Sequence, residues 1–479
     1  MIQSVYLGID IGTSSAKCLA VDGSGRILAL ANHPYPIMHP HEGWAEQDAE
    51  DYWRALVDVV NKCVLECETQ GYSRSDVRSI AMSTQGDTLI VTDDAGKPLA
   101  PAMSWMDRRG ENECHELLSE RDQSFWCENT GSALVSISSA CNIRWIANNM
   151  PDLWNRIGRF CWVADFLANK LCGKFVTDVP NASWTPLYSS FKRDWSRDVM
   201  DLLGVSQEKL PAAVESGTEI GELLPEAALE LGLDAGVKLV AGAFDQSAAA
   251  YGAGGQSVLS CGTAWVLYLV SDKPVEDESG SIPICCHTKS SEWGMILPFT
   301  GGSAYDWLHQ TFGDRSTGCE SGGGPLVFIP HLYGGLSPDW RSESKGSLLG
   351  LTLSHTWQDI ELALMRGMAF ETKRNIEAAE KICGRIEAVR MVGGAGKSRT
   401  WPQIIANVLN LPIYVSNQAE AACYGAAKIA AGEAAADWKA SESVKTFAPV
   451  PDDVKSEERQ YARYLRFYNA LLPLYENDL

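Results

Sequence analysis

The sequence predicts an α/β protein of two related domains, and three observations support this fold class. The chain has 479 residues, about the length of two or more ordinary domains. Strand patterns alternate with amphipathic helical patterns in each half. A Gly-Thr turn between two strand patterns occurs once in each half, at Gly12-Thr13 and Gly262-Thr263. We therefore expect residues 1–236 and 237–479 to form two domains facing a central cleft, with a hinge near 231–238.

The first half opens with three strands before any helix. Alternating apolar residues predict strands at 5–11, 16–21 and 26–31, and Asp22-Gly23-Ser24-Gly25 suits the turn between the last two. Apolar residues at helical spacing predict a helix over 53–64, followed by strands at 77–83 and 88–91. A simple Rossmann domain begins with one strand leading directly into a helix, so this order disfavours that fold.

The second half repeats the alternation. Strands are predicted at 239–244, 258–261 and 265–270, the last two forming a hairpin around Gly262-Thr263. A long helix is predicted near 358–381, and a strand at 387–392 leads into a glycine-rich loop and a helix that opens near Ser398. Residues 449–453 link to a final helix that carries Tyr461 and Tyr468.

The charge balance excludes one class of partner. The chain carries 40 Lys and Arg against 61 Asp and Glu, a formal net charge of -21. Such a surface repels phosphate backbones, so we expect no nucleic-acid partner. A single small polyanion such as ATP is compatible with this charge, because backbone N–H groups and a metal ion screen it locally. With 45% hydrophobic residues, the chain can bury a large core.

Other sequence features point to a cytoplasmic protein. No apolar run reaches the ~18 residues that a membrane span needs, and Asp10 interrupts the first apolar segment, so we expect neither a membrane partner nor a signal peptide. The 14 cysteines are scattered without a C-x-x-C pair and are expected to be free thiols in a reducing compartment. The eight histidines form no zinc pattern.

The first candidate site is the turn after the first strand. Gly12, Thr13 and Ser14 offer backbone N–H groups and hydroxyls that suit phosphate oxygens. Asp10, at the strand end, is suited to hold Mg²⁺ through waters, and Lys17 could reach a transferring phosphate. The alternative interpretation is a plain hairpin turn with a hydrogen-bonded Asp.

Two further glycine turns occur in the second half. By the same reasoning, Gly262 and Thr263 are candidates for binding phosphate oxygens, although this pattern is less specific than that of the first turn. In the loop 393–398, glycines allow close approach to the backbone and the following helix N-terminus favours negative charge. The candidate residues in this loop are Gly393, Gly394, Ala395, Lys397 and Ser398. The spacing is not that of a Walker A motif, and tight strand–helix packing is an equally good interpretation.

The fourth candidate is Asp245, which follows the apolar strand that ends at Phe244. A carboxylate in this position can accept a hydroxyl proton during phosphoryl transfer. The alternative is a helix N-cap, which the sequence alone favours.

Taken in order, these motifs resemble the FGGY family of carbohydrate kinases, from Tyr6 to about Gly432. The resemblance rests on Gly8-Ile9-Asp10-Ile11-Gly12-Thr13-Ser14, Gly43-Trp44-Ala45-Glu46-Gln47-Asp48, Trp105-Met106-Asp107-Arg108-Arg109, Asn181-Ala182-Ser183, Ala243-Phe244-Asp245-Gln246, Gly350-Leu351-Thr352, the loop 393–398, Glu420-Ala421-Ala422 and Gly425-Ala426-Ala427.

The resemblance implies two actin-like, ribonuclease H-like domains that close over ATP and a small sugar. It implies Asp10 and Asp245 near Mg²⁺, with Asp245 as catalytic base and Gln246 beside the sugar. It places Thr13 and Thr263 at phosphates, and Gly302 with the residues of loop 393–398 at the nucleotide. A homodimer is common in the family and is possible here.

The segment Thr84-Gln85-Gly86-Asp87-Thr88 departs from the family patterns. Xylulose kinases usually read Gly-Gln-Met-His-Gly here, and glycerol kinases read Asn-Gln-Arg-Glu-Thr. The resemblance therefore implies that Gln85 and Asp87 contact the sugar, since Asp87 stands where glycerol kinases carry an acidic glycerol ligand. Gly86 is expected to leave space and to remove a hydrogen-bond donor.

A Trp-x-Asp-x-Arg pattern completes the candidate sugar site. Trp105 would offer an aromatic face to C–H groups, and Asp107 with Arg109 would offer a charged pair to hydroxyls. The alternative is an exposed ion pair at a helix start. The resemblance as a whole indicates an ATP-dependent kinase of a pentulose such as D-xylulose. A glycerol or polyol kinase, and a nucleotide-binding switch without kinase activity, are the alternatives.

Overall fold

The computed structural model describes residues 3–262, 264–273, 275, 277, 280–313, 325–416, 420–436, 438 and 444–475. They form two compact units. The first contains Met1–Gly254, Val270–Gly294 and Glu420–Ser441, and the second contains Gly255–Leu269, Met295–Ala419 and Glu442–Leu479. The sequence placed the division at 236/237. The units divide after Gly254 instead, because the strand and helix over 238–253 belong to the first sheet and its packing.

Residues 3–254 contain fourteen strands and ten helices among those the structure describes. The strands are β1 Val5–Ile11, β2 Ser15–Asp22, β3 Ile27–Pro34, β4 Glu46–Gln47, β5 Val77–Thr84, β6 Ile90–Thr92, β7 Ala102–Met103, β8 Arg159–Cys161, β9 Val176–Asp178, β10 Tyr188–Ser189, β11 Asp194–Trp195, β12 Ala212–Val214, β13 Glu219–Glu222 and β14 Lys238–Phe244. The helices are α1 Ala49–Thr69, α2 Glu111–Glu120, α3 Gln123–Thr130, α4 Ser139–Asn149, α5 Pro151–Trp154, α6 Val163–Cys172, α7 Val179–Trp184, α8 Arg197–Leu203, α9 Pro225–Glu230 and α10 Asp245–Ala253.

The remaining described elements follow in chain order. The strands are β15 Ser257–Cys261, β16 Ala264–Ser271, β17 Ile284–Cys286, β18 Trp293–Thr300, β19 Val327–Ile329, β20 Ser347–Leu349, β21 Val389–Gly393, β22 Ile413–Val415 and β23 Lys445–Phe447. The helices are α11 Gly302–Phe312, α12 Trp357–Cys383, α13 Trp401–Leu409, α14 Ala421–Ala431 and α15 Pro451–Tyr475.

The first unit is built on a six-stranded sheet in the order β13-β14-β5-β1-β2-β3. The strands β1, β2 and β3 form an antiparallel meander, whereas β5 pairs parallel with both β1 and β14. The amphipathic helix α1 packs its apolar face, including Leu56 and Val60, into the core beneath these strands. On α14, Cys423 approaches β1 so closely that a Cβ on Gly8 would lie 1.9 Å from the Cys423 carbonyl oxygen.

This topology sets up the candidate site. Because β1, β5 and β14 are parallel, their carboxyl ends meet at one edge of the sheet. Asp10 lies near the end of β1 opposite Ser83 of β5, Gln85 follows β5, and Asp245 follows β14.

The second unit repeats this arrangement. Its main strand order is β18-β16-β15-β21-β22-β23. As in the first unit, a hairpin, β15–β16, has its first strand paired parallel with a later strand, here β21. The predicted α/β fold of two related domains is confirmed. Among the described helices, none is long and apolar enough to cross a membrane.

Several predicted elements begin later than expected, among them β6 and α13. The strand expected at 88–91 is β6, Ile90–Thr92, since Leu89 forms only an isolated bridge to Met103 and the Thr88 hydroxyl accepts the Trp105 backbone N–H. The helix expected near Ser398 begins at Trp401, because Gly394–Lys397 form a 3₁₀ turn first.

Candidate active site

Two carboxylates lie at the edge of the first sheet. The Ser83 hydroxyl donates a hydrogen bond to Asp10 Oδ1 at 2.8 Å. Burial raises the pKa of Asp10, although the Ser83 hydrogen bond and the positive charge of Lys17 oppose the shift. Burial, followed by the negative charge of Asp10, raises the pKa of Asp245 to about 7. Asp10 and Asp245 therefore lie at the same edge of the sheet, where the charge of Asp10 acts on Asp245.

Asp245 is the first residue of α10, and Phe244 occupies the N-cap position. The Gln246 backbone N–H donates to Asp245 Oδ1 at 2.6 Å. The N-cap interpretation of Asp245 is therefore wrong, because the cap lies one residue earlier. The Gln246 backbone and side chain both hydrogen-bond to this carboxylate and orient it.

The Gly12–Ser14 turn is fixed from several sides. The Gly12 N–H donates to the Ser15 carbonyl at 3.0 Å, and the Tyr35 backbone N–H donates to the Ser14 carbonyl at 3.0 Å. The Tyr35 hydroxyl also donates to the Gly12 carbonyl. Because these bonds use the Gly12 N–H and two carbonyls, the turn is held rigidly enough to present the N–H groups of Thr13 and Ser14 to a ligand.

A buried polar network lies behind this turn. The Gln47 amide donates to the Thr13 carbonyl at 2.9 Å, and its Oε1 accepts the Tyr52 hydroxyl at 2.8 Å. The Gln85 amide donates to Tyr52 at 3.3 Å, while Gln85 Oε1 is buried without a partner among the described residues. The network joins the Thr13 turn to Gln85. Sequence reasoning gave Gln47 and Tyr52 no role, although Gln47 lies in the Gly43–Asp48 motif.

Lys17 forms an ion pair that the sequence did not reveal. Its Nζ lies 2.6 Å from Glu420 Oε2. Burial lowers the pKa of Lys17, but the hydrogen bond to Glu420 and the charges of Glu420 and Asp10 outweigh burial and raise it. Glu420 has a left-handed backbone conformation (φ 62°) at the start of α14. The Glu420-Ala421-Ala422 motif was the available signal, but it carried no indication of this partner.

The Trp105 side chain lies beside the Gly12–Ser14 turn. Its indole Nε1 donates to the Thr13 hydroxyl at 3.0 Å, and 39% of the residue is exposed. An exposed aromatic face beside a hydroxyl-rich turn suits the C–H face of a sugar.

Asp107 and Arg109 are buried instead. Asp107 is 0% exposed and accepts the Ala45 N–H at 2.7 Å, while the Arg109 guanidinium reaches both Asp107 and Glu46. The interpretation as an exposed ion pair is therefore wrong. Direct contact with sugar hydroxyls is also unsupported, because these carboxylate and guanidinium groups are engaged within the protein.

Two indoles complete the enclosure of Arg109. Its guanidinium carbon lies 3.7 Å from the Trp44 ring centroid and 5.2 Å from that of Trp145. This enclosed cation braces the segment that carries Trp105.

Asp87 is held by structural donors. It accepts the Ser139 N–H at 2.9 Å, the Ser139 hydroxyl and the Trp162 indole N–H at 3.3 Å. Burial raises the pKa of Asp87 to about 7. Its backbone is left-handed (φ 56°), a conformation that a non-glycine residue adopts only when its surroundings fix it. Both carboxylate oxygens therefore serve the protein fold.

The expectation that Gly86 leaves space is wrong. A Cβ on Gly86 would lie 2.1 Å from Trp184 Cδ1 and 2.7 Å from Phe244 Cε2. The two aromatic rings stack with centroids 5.0 Å apart at 17°. Aromatic side chains thus fill the volume beside residue 86.

In the second unit, the turn at Gly262 meets the start of α11. The Gly302 N–H donates to the Gly262 carbonyl at 3.0 Å. A Cβ on Gly301 would lie 2.4 Å from the Trp265 nitrogen, so this approach requires glycine. Thr263 lies outside the described residues.

The loop 393–398 lies beside the same turn, because Gly393 pairs with Cys261 across β21 and β15. Gly393 has φ +95°, and its Cβ would lie 2.6 Å from the Cys261 carbonyl oxygen, so tight packing accounts for this glycine. Gly394 is exposed and would have no contact closer than 4.0 Å, so its backbone is open to a ligand.

Lys397 and Ser398, at the end of this loop, lie in different environments. Lys397 is exposed, so its ammonium can approach an anion. The Ser398 hydroxyl accepts the N–H groups of Thr400 and Trp401, each at 3.2 Å, and so supports the start of α13. Ala395 is half-buried, and its carbonyl accepts the Ser398 N–H at 3.2 Å.

The donor set fits a water-coordinated divalent cation better than a fully protein-ligated one. Within the described residues, no group of three or more His, Cys, Asp or Glu side chains could hold a metal. The negative charge of Asp10, however, raises the pKa of Asp245 at the strand edge, and a cation there would reduce this repulsion. Mg²⁺ is commonly bound through one or two carboxylates and several waters.

Comparison with known proteins matches nearly the whole chain to one family. Residues 5–252 match the model of the N-terminal domain of the FGGY family of carbohydrate kinases, and residues 257–434 match that of its C-terminal domain. A xylulose kinase of Escherichia coli is 26% identical, with 98% of this chain and 100% of the relative covered. A gluconokinase of Bacillus subtilis is 24% identical, with 99% and 96% covered. The crystal structure of a xyloylose kinase from Brucella ovis superposes with a TM-score of 0.90 at 25% identity, with 98% and 100% covered.

Proposed function

Because the chain belongs to the FGGY family of carbohydrate kinases, we propose that it transfers the γ-phosphoryl group of ATP to a hydroxyl of a pentulose such as D-xylulose. The observation that carries this proposal is Asp245. It follows a parallel strand, is oriented by the Gln246 N–H on Oδ1, and has a pKa raised to about 7 by burial and by the negative charge of Asp10. A carboxylate with these properties is a better proton acceptor near neutral pH than an ordinary Asp.

Asp245 acts as the base. Its Oδ2 accepts the proton of the sugar hydroxyl as that oxygen attacks the γ-phosphorus, and the bond from phosphorus to the bridging oxygen of ADP breaks. Oδ1 stays bonded to the Gln246 N–H, which fixes the carboxylate plane. Ser83 similarly orients Asp10. Bound Mg²⁺ would neutralise charge on the phosphate oxygens, and Asp10 and Asp245 are the residues proposed to hold it.

The two glycine turns bind the phosphates and the nucleotide. Backbone N–H groups of Thr13 and Ser14 serve the transferring end of ATP, while Gly12, whose N–H is bonded to the Ser15 carbonyl, shapes the turn. The nucleotide side is assigned to the remaining candidates, namely Gly262, Thr263, Gly302, Gly393, Gly394, Ala395, Lys397 and Ser398. We assign two roles to Lys17. Its ammonium lies 2.6 Å from the Glu420 carboxylate and orients it, and the same ammonium is proposed to bind a phosphate of ATP.

The acceptor sugar lies beside Gln85, Trp105 and Gln246. Among the residues that the structure describes, Gln85 Oε1 is a buried acceptor without a partner, so it suits a sugar hydroxyl. The indole of Trp105 covers C–H groups. Asp87 is not included, because its two oxygens are bonded by Ser139 and Trp162.

A neutral pentulose suits this site better than two other acceptors. In glycerol kinases an acidic ligand stands at the position of Asp87, and here that carboxylate is engaged, which disfavours glycerol. An anionic acceptor such as gluconate would approach Asp10 and Asp245, while the cations Lys17 and Arg109 are already paired with carboxylates. A cytoplasmic homodimer remains a prediction.

The test is acceptor-dependent ADP release. We expect D-xylulose or D-ribulose to raise ADP release from MgATP far above the rate without acceptor, and to exceed glycerol and D-gluconate in kcat/KM. The expected margin is at least about tenfold, since recognition of individual hydroxyls gives discrimination of this size or more. A preference for gluconate or glycerol would refute the pentulose assignment, and no stimulation by any acceptor would refute the kinase assignment.

A further inference from the structure

A stacked aromatic pair lies between two segments of the proposed acceptor site. Trp184 ends α7 and stacks on Phe244 with a centroid separation of 5.0 Å. Phe244 immediately precedes Asp245, and the stack covers the position of residue 86, immediately after Gln85. The pair therefore adjoins both the proposed base and the proposed hydroxyl acceptor.

We propose that Trp184 is a specificity-determining residue that limits the size of the sugar in this kinase. Gly86 alone would leave a recess beside Gln85, because it has no side chain. The indole fills that recess, since a Cβ on residue 86 would come within 2.1 Å of its Cδ1 atom. Bulk at this point of the acceptor site thus comes from residue 184, nearly a hundred positions later in the chain. The inference rests on the proposed function, because it places the acceptor beside Gln85.

The indole is held in place by its own helix. The Thr84 hydroxyl donates to Asn181 Oδ1 at 3.0 Å, and the Asn181 amide donates to Asp178 at 2.7 Å. These bonds tie α7 to the end of β5, so Trp184 cannot retreat without breaking buried polar contacts. A rigid wall discriminates by size more strongly than a mobile one.

Trp184 also retains features of a ligand-binding residue. It is only partly buried, and within the described part of the chain no hydrogen bond uses its indole N–H. An aromatic face with an available N–H can cover sugar C–H groups and donate to a hydroxyl. Stacked core indoles elsewhere in the first unit differ, since Trp162 and Trp195 both donate their N–H groups to protein oxygens.

The experiment compares acceptor profiles and acceptor binding for wild type, Trp184→Ala, Trp184→Phe and Trp53→Ala. Trp53 is a matched control, because it is a partly buried tryptophan on α1 whose indole bonds Glu230 away from the strand edge. The acceptors are D-xylulose, D-ribulose and the six-carbon ketose D-fructose. KM for ATP and the circular dichroism spectrum report on the integrity of each variant.

We expect Trp184→Ala to lower the ratio of kcat/KM for pentulose over hexulose by about tenfold or more, which is the scale of discrimination for added groups in a pocket. The KM for ATP should stay within about twofold, Trp184→Phe should give an intermediate ratio, and Trp53→Ala should match wild type. A second variant, Gly86→Ala, should reduce activity, and part of that loss should be recovered in the double variant with Trp184→Ala.

The outcomes separate the two proposals. Turnover of pentuloses by wild type with an unchanged ratio in Trp184→Ala would overturn the role of Trp184 and leave the kinase function intact. If Trp184→Ala is poorly folded, an unchanged ratio in a well-folded Trp184→Phe would overturn it equally. Absence of both binding and turnover of every acceptor by wild type would overturn the proposed function and this inference together.

Discussion

The two glycine turns have the same topology but different surroundings. Each joins the strands of an antiparallel hairpin whose first strand pairs parallel with a later one. The turn at Gly12 is held by side chains, including Tyr35, Gln47 and Trp105. The turn at Gly262 is contacted by the backbone of Gly302 and lies beside Gly393.

This difference shows how the same hairpin arrangement can be used to recognise two kinds of group, phosphates and sugars. Phosphate groups are recognised well by backbone N–H groups, which need only small residues and open space. A sugar has hydroxyls and C–H faces at defined positions, and distinguishing one sugar from another requires specific side chains. We therefore assign acceptor choice to the side chains around the first turn, whose backbone serves the transferring phosphate, and the rest of the nucleotide to the glycine-rich second turn.

The largest expected effect is the loss of catalysis in Asp245→Asn. The amide cannot take the proton from the attacking hydroxyl, so kcat should fall by about 10²–10⁴ or more, the usual contribution of a positioned base. ATP binding, measured by calorimetry, should persist, because the second turn is unchanged. Asp58→Asn is the control, since Asp58 pairs with His33 and Lys62 on the surface of the first unit. Retention of near wild-type kcat in Asp245→Asn would remove this residue from its role.

The next prediction tests whether nucleotide binding and sugar binding depend on different turns, by a substitution in the loop 393–398 beside the second turn. Gly394→Val should raise the KM for ATP about tenfold, or about 1.4 kcal/mol, while the KM for the sugar changes little. Gly394 has open space around its Cβ position and no left-handed backbone, so the substitution should not strain the fold. Gly236→Val is the matched control, because Gly236 also has nothing within 4 Å of its Cβ position. An equal rise in both KM values would contradict the division of tasks between the turns.

Local patterns in the sequence were sufficient for the strand edge. The alternation at β1 gave its bounds, Val5–Ile11, and the carboxyl ends of parallel strands necessarily meet, so Asp10 and Asp245 could be expected together. The partner of Lys17 could not be found this way, because Glu420 is 403 residues away. The same holds for Gly86, because the volume beside it is filled by Trp184, whose position depends on the tertiary packing of α7.

The burial of Arg109 illustrates a second limit. A Trp-x-Asp-x-Arg pattern fixes which residue types are adjacent, but the enclosure of the cation between Trp44 and Trp145 depends on three separate segments. Sequence chemistry alone favours an exposed charged pair, because isolated charges rarely tolerate burial. Here the aromatic faces and two carboxylates compensate for lost hydration, which only the folded chain reveals.

The smallest expected effect is a pH-dependent gain of stability in Asp245→Asn. The pKa of Asp245 is raised to about 7 in the folded protein, so the folded state binds this proton more tightly than the unfolded chain. The wild type therefore loses stability as pH rises from about 4 through 7, and the variant avoids that loss. Urea unfolding without nucleotide or Mg²⁺ should show little difference at pH 4 and a more stable variant at pH 8, by on the order of 1 kcal/mol.

A buried carboxylate of the second unit, Glu371, should show the opposite dependence of stability on pH. Burial alone would raise the pKa of Glu371, but the charges of Arg374 and His331 lower it to about 2. Its ionised form therefore adds stability above its ordinary pKa near 4.5, and that stability is lost as pH falls toward 2. Glu371→Gln should accordingly be less stable than wild type at pH 8, because it leaves the Arg374 guanidinium without its buried partner. If both variants shifted stability in the same direction at pH 8, the contrast between the carboxylates of the first strand edge and the paired Glu371 of the second unit would be wrong.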